Sequence, residues 1–199
     1  MKMRAVADLS GLPTYAFGSR SPIWWGTLGF VAIEGMGFAL AVGSYLYLHH
    51  LNPQWPLSAD PPNPWPGVIL TLLLLASLWP NRLVDKAAHE ENLAAVRRLS
   101  VIMSVMGLAA IGVRLWEFGV LHVRWDQNAY GSLTWLMLGL HATHLITDVG
   151  DTLVLTALMF TRHGQGKRFS DVSDNAFYWY FVVGAWLPIF LVVYGIPRW

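Results

Sequence analysis

Long apolar segments separated by short polar ones dominate the sequence. Five of them, at about residues 24–48, 66–84, 99–122, 132–160 and 176–196, approach or exceed the roughly 20 residues that a membrane-spanning helix needs. The second has a core of Leu, Val and Ile before Pro80, and we expect it to continue past this proline as an amphipathic helix through residue 98. The pattern predicts an all-α fold, a polytopic membrane helix bundle with five transmembrane helices.

The fourth apolar segment carries polar side chains along one helical face. Their spacing of three, four and three residues places them on the same side of a helix: His141, His144, Asp148 and Asp151. A charged side chain near the centre of a bilayer costs roughly 2.5–3.5 kcal/mol on insertion scales. We therefore expect this face to be buried, with partners on other helices.

Three further ionisable residues lie inside apolar segments and are the candidate partners. Glu34 falls near the middle of the first segment, whereas Arg114 and Glu117 are three residues apart in the third and can pair on one helical face. Glu34 is interpreted either as a hydrogen-bonded acid that holds helices in register or as a proton, lipid or partner site. Arg114 is alternatively a ligand for a lipid phosphate. We expect His141 and His144 to hydrogen-bond to Glu34 and Glu117 inside the bundle.

The distribution of basic residues predicts the orientation. Alternate segments, at residues 1–22, 80–98 and 161–175, hold ten Lys and Arg residues, whereas the other side holds only Arg124 and Arg198. Cytoplasmic loops carry an excess of Lys and Arg. The sequence therefore predicts a cytoplasmic N-terminal tail over residues 1–22, and one membrane domain over residues 23–199 whose C-terminus is periplasmic.

Composition narrows the function classes further. Hydrophobic residues make up 55% of the 199 residues and charged residues 13%, against about 25% charged in soluble domains. The chain has no cysteine, which excludes thiolate metal sites, and its net charge of +1 gives no indication of nucleic-acid binding. The two histidines and two aspartates could in principle bind a metal, but no ExxH motif or second deep histidine accompanies them. We expect neither a metal site nor catalytic residues.

Several short motifs resemble subunit III of the haem-copper terminal oxidases. WWGTLGFVAIEGMGFA around Glu34, RLWEF with Glu117, and GLHATH with His141 and His144 match that family in order and spacing. DNAFYWYFVVGAWLPIFLVVY also resembles a family segment, although Tyr180 stands where the family usually has His, and Val183 where it often has Asp. The resemblance covers nearly the whole chain, and five spans correspond to the short bacterial form.

This resemblance implies an accessory subunit in a bacterial inner membrane. The family's subunit III holds no redox centre, packs with subunits I and II, which contain the haem and copper, and binds phospholipid. It supports the catalytic subunit in aerobic respiration, where O2 reduction is coupled to proton pumping. On the residues alone, three alternatives stay open: a related accessory protein of a nitric oxide reductase, a stand-alone proton or solute carrier, and a haem or metal enzyme.

Overall fold

The computed structural model describes residues 15–57, 59–162, 164 and 166–198, and within them the regular secondary structure is entirely helical. The five α-helices are α1 (Pro22–Leu51), α2 (Pro64–His89), α3 (Leu93–Gly119), α4 (Ala129–Met159) and α5 (Lys167–Phe190). A 3-10 turn precedes α1, and a π-helical turn (Leu191–Gly195) and a 3-10 turn (Ile196–Arg198) extend α5. The all-α prediction is confirmed.

In the described part of the chain, four helices are long and apolar enough to cross a membrane: α1, α2, α3, and α5 with its extension. The chain is thus a multi-pass membrane protein by length and composition. Helix α4 has 31 residues and is long enough, but it carries two histidines and two aspartates and is not among these four helices. That α4 is also a membrane span stays a prediction.

Asparagine side chains begin three of the helices. The side-chain oxygens of Asn63, Asn92 and Asn128 accept hydrogen bonds from the first turns of α2, α3 and α4, respectively, over 2.8–3.1 Å. Such caps satisfy backbone N–H groups that have no partner within the helix. Helix α1 instead begins with Pro22, whose missing N–H costs nothing at this position.

Helix boundaries depart from the sequence prediction at three places. Helix α2 continues past Pro80 as predicted, but the amphipathic segment through residue 98 is not one helix, because the chain turns at residues 90–92. Glu91 has a positive φ of 52° in this turn, and α3 begins at Leu93 after its N-cap Asn92. Helix α3 ends at Gly119 rather than near 122, and α5 begins at Lys167 rather than near 176. Residues 1–14 of the predicted tail lie outside the described residues.

Helices α2 to α5 pack closely around a common core. Helix α2 contacts α3 and α5, and α4 also contacts α3 and α5. Two buried tryptophans of α5 donate to hydroxyls of α2: Trp179 to Ser77 over 2.8 Å, and Trp186 to Thr71 over 2.7 Å. These hydrogen bonds satisfy indole N–H groups that would otherwise be buried without a partner.

Helix α1 lies at the periphery, against α4 and α5. Its buried residues are Phe38, Ala41 and Tyr45, all in its second half. Its first half contributes no buried residue, and an open cleft of about 980 Å³ separates it from α4 and α5. This cleft, lined by α1, α4 and α5, is called the α1 cleft below.

Candidate functional site: two polar junctions between helices

The first junction joins three helices at the inner end of the α1 cleft. Tyr178 of α5 donates a hydrogen bond to Glu34 Oε2 of α1 over 2.6 Å, and His144 Nε2 of α4 lies 3.1 Å from Glu34 Oε1. The side chains of His144 and Glu34 are only 10% and 16% exposed, respectively. The sequence predicted that Glu34 and His144 are neighbours inside the bundle, and the structure places them in contact. We call these three residues the cleft junction.

The hydrogen bonds of His144 fix where one proton of the cleft junction must lie. His144 Nδ1 is 2.6 Å from the carbonyl oxygen of Leu140, which can only accept, so Nδ1 carries a hydrogen. In neutral His144, Nε2 is then a bare acceptor facing a carboxyl oxygen. One proton must therefore lie between Nε2 and Glu34 Oε1, bound either to the carboxyl or to the ring.

The second junction is buried in the core of the bundle. Arg114 and Glu117 of α3 form an ion pair, as predicted, and their side chains are 2% and 1% exposed. Tyr194, in the extension of α5, donates to the same carboxylate. The Arg114 guanidinium also lies over the ring of Trp186, 4.2 Å from its centroid. We call this group, together with His141, the core junction.

His141 of α4 completes the core junction as a neutral ring. Arg114 Nη2 lies 2.8 Å from His141 Nδ1, and because a guanidinium only donates, Nδ1 must be a bare acceptor. Nε2 lies 3.0 Å from the carbonyl oxygen of Val182, so it carries the hydrogen. The prediction that a histidine of α4 hydrogen-bonds to Glu117 was wrong, because His141 contacts Arg114 of the ion pair instead.

The two aspartates of the polar face of α4 have different environments. Asp148 is 1% exposed and lines the α1 cleft, but neither carboxyl oxygen has a hydrogen-bond partner among the described residues. Asp151, one turn further along α4, also lines the cleft but is exposed. The expectation that Asp151 is buried was therefore wrong, because the first half of α1 diverges from α4 at this level.

Three aromatic residues of these junctions were not predicted as partners. Tyr178 belongs to an aromatic run that resembles an interfacial belt, and Tyr194 and Trp186 lie in an apolar stretch. A tyrosine hydroxyl within a membrane span needs a hydrogen-bond partner, so the sequence did indicate that Tyr178 and Tyr194 would contact a polar group. Sequence spacing could not show which acid each hydroxyl would meet.

The histidines of α4 do not fit a haem or metal site in this arrangement. Both ring nitrogens of His141 and of His144 already have protein partners. Within the described residues, no three His, Asp or Glu side chains are grouped to hold a metal ion. The two junctions instead connect helices α1, α3, α4 and α5.

These features define a class: a multi-pass helical membrane protein whose buried ionisable groups bind one another across helices. No family model matches the chain. Cytochrome c oxidase subunit 3 of Thermostichus vulcanus is 25% identical to it over 176 residues, 87% of each chain. The protein named "probable cytochrome c oxidase subunit 3" of Mycobacterium tuberculosis is 28% identical over 180 residues, 86% of each chain. Cytochrome c oxidase subunit 3 of Alkalihalophilus pseudofirmus is 28% identical, covering 83% of this chain and 82% of the relative. Over most of its length the chain is therefore similar to proteins named cytochrome c oxidase subunit 3.

Proposed function

We propose that this chain is the accessory subunit III of a haem-copper terminal oxidase in a bacterial inner membrane. It packs on the catalytic subunit I, together with subunit II, and those partners hold the haem and copper. The chain itself binds phospholipid and supports sustained turnover and proton uptake by the catalytic subunit. Its relatives, each named a cytochrome c oxidase subunit 3, match it over most of their length and support this proposal.

The observation that carries the proposal is how the resembling motifs are used. The motif around Glu34 meets the GLHATH motif at the cleft junction, where His144 contacts Glu34. The RLWEF motif meets GLHATH at the core junction, where Arg114 contacts His141. Side chains that could in isolation bind haem or carry protons are thus hydrogen-bonded or paired with one another. This arrangement favours a supporting subunit over an independent redox protein.

We further propose five membrane spans with the N-terminus in the cytoplasm. At the end with more basic residues, Arg97 Nε donates to the carbonyl of Met159 over 2.6 Å, which ties the start of α3 to the end of α4. Because the native chain lacks cysteine, Glu90→Cys and Asp126→Cys report one loop each. In intact cells, a maleimide that reaches the periplasm but cannot cross the inner membrane should label Asp126→Cys and not Glu90→Cys. The reverse labelling would overturn the orientation.

Purification of the tagged chain from native membranes in mild detergent tests the complex. A haem-containing subunit should co-purify, with a reduced-minus-oxidised absorption spectrum and with the peptides of an oxidase subunit I. Peptides of a nitric oxide reductase would assign the chain to the other complex. Recovery of a solitary, colourless monomer would contradict the proposal.

The carrier alternative is tested on the same preparation. A stand-alone proton carrier in liposomes should collapse an imposed pH gradient, and Glu34→Gln should abolish that flux. The accessory role predicts no flux above that of empty liposomes, because the acid and imidazole of the cleft junction serve each other.

A further inference from the structure

The α1 cleft contains an imbalance of charge that the two junctions do not resolve. Within it, Glu34 is paired with His144, and Arg168 donates to Asp171 over 2.7 Å. Of the remaining acids in the cleft, Asp148 is the most deeply buried, and neither of its carboxyl oxygens has a partner among the described residues. A buried acid without a donor is costly whether it is ionised or neutral, so the site favours a bound donor.

A second acid strengthens this demand. Asp151 lies three residues after Asp148 and lines the same cleft. No basic side chain is hydrogen-bonded or ion-paired to either aspartate in the described part of the chain. The only described arginine or lysine that lines the cleft, Arg168, is already paired with Asp171, and His144 faces Glu34. Charge complementarity therefore favours a cationic ligand.

The depth of the aspartates decides what kind of ligand can reach them. Helix α4, with 31 residues, is about 46 Å long and exceeds a hydrocarbon layer of about 30 Å by roughly 8 Å at each end. If α4 is centred in the bilayer, Asp151 lies about 5 Å and Asp148 about 9 Å inside the hydrocarbon edge. An amine attached to an apolar body can reach this level from the interface.

We propose that the α1 cleft binds a primary ammonium group at Asp148 and Asp151. A primary ammonium offers three N–H donors to carboxyl oxygens, whereas a quaternary ammonium offers none. The rings of Phe30 and Tyr178 in the same cleft can add cation–π attraction. The group belongs either to the head of an aminophospholipid or to a soluble alkylamine that enters the same cleft. The inference rests on the proposed lipid-binding role and specifies its chemistry.

Native mass spectrometry of the purified complex, delipidated and then titrated, tests the proposal. The probes are phosphatidylethanolamine and phosphatidylcholine with identical acyl chains, and butylamine as the soluble source. Phosphatidylethanolamine should bind roughly tenfold more tightly than phosphatidylcholine, the equivalent of one charge-assisted hydrogen bond. Asp148→Asn should remove this preference, Asp151→Asn should reduce it, and the matched control Asp126→Asn, at the opposite end of the bundle, should keep it. Thermal unfolding of each variant checks that it is folded.

The outcomes separate this inference from the proposed function. Equal binding of the two lipids, unaffected by Asp148→Asn, would overturn the ammonium site and leave lipid binding intact. Saturable binding of butylamine that Asp148→Asn abolishes, without lipid selectivity, would support the site with a soluble amine as its ligand. Failure of both lipids and of butylamine to bind would overturn the site and the lipid-binding role together.

Discussion

Breaking the buried ion pair of the core junction should be strongly destabilising. Among the described residues, Arg114→Met removes the only cation that contacts Glu117, and it leaves that acid 1% exposed in the bundle. Removal of one member of a buried pair costs roughly 3–5 kcal/mol. At about 2–4 °C per kcal/mol for a chain of this size, the melting temperature should fall by roughly 6–20 °C. The intrinsic fluorescence of the eleven tryptophans reports this transition in detergent.

A double-mutant cycle isolates the pair from lost packing. Glu117→Gln should also destabilise, because it leaves the guanidinium without a counter-charge. The combined variant should then lose at least about 2 kcal/mol less than the sum of the single losses. The control Arg124→Met breaks an exposed pair with Asp126 and should cost about 1 kcal/mol or less. Additive single losses, or a stable Arg114→Met protein, would refute the interpretation of the junction.

Two further substitutions test the packing and the cleft junction. Gly107→Ala would place a Cβ 2.6 Å from a methyl carbon of Val149 and should lower the free energy of unfolding by about 1–3 kcal/mol. The control Gly112→Ala, on the same helix, meets nothing within 4 Å and should be neutral or stabilising. Equal effects of the two variants on thermal unfolding would contradict the close contact of α3 with α4. Tyr178→Phe removes the hydroxyl that donates to Glu34 and should lower the free energy of unfolding by about 0.5–1.5 kcal/mol. The control Tyr180→Phe alters a side chain that is 39% exposed and should cost less. No difference between the two variants would argue against this hydrogen bond.

The helices themselves could be predicted from sequence because apolar length and polar spacing are local properties. The same applies to the Arg114–Glu117 pair, whose members are one helical turn apart. The Glu34–His144 contact could be predicted because polar side chains in apolar helices are stable only when they contact one another. Residues 90–92 show the limit, since the helical periodicity continues across a turn that Glu91 makes with a positive φ.

Contacts that depend on the relative placement of helices could not be read from spacing. The polar face of α4 meets α1, α3 and α5 at different levels, so His141 meets Arg114 rather than Glu117. Asp151 has the same helical phase as its buried neighbours but is exposed, because the first half of α1 diverges. Which neighbour lies opposite a given level depends on side-chain packing along the whole bundle.

The central claim is that polar residues within the apolar helices face one another inside the bundle. Crosslinking with a short bis-thiol reagent in native membranes tests it most directly, because the native chain has no cysteine. The pair Glu34→Cys and His144→Cys should crosslink efficiently. The control pair Ile33→Cys and Ile146→Cys, which replaces residues 74% and 52% exposed, should crosslink much less. Equal crosslinking of the two pairs, or none at 34 and 144 in folded protein, would contradict the account.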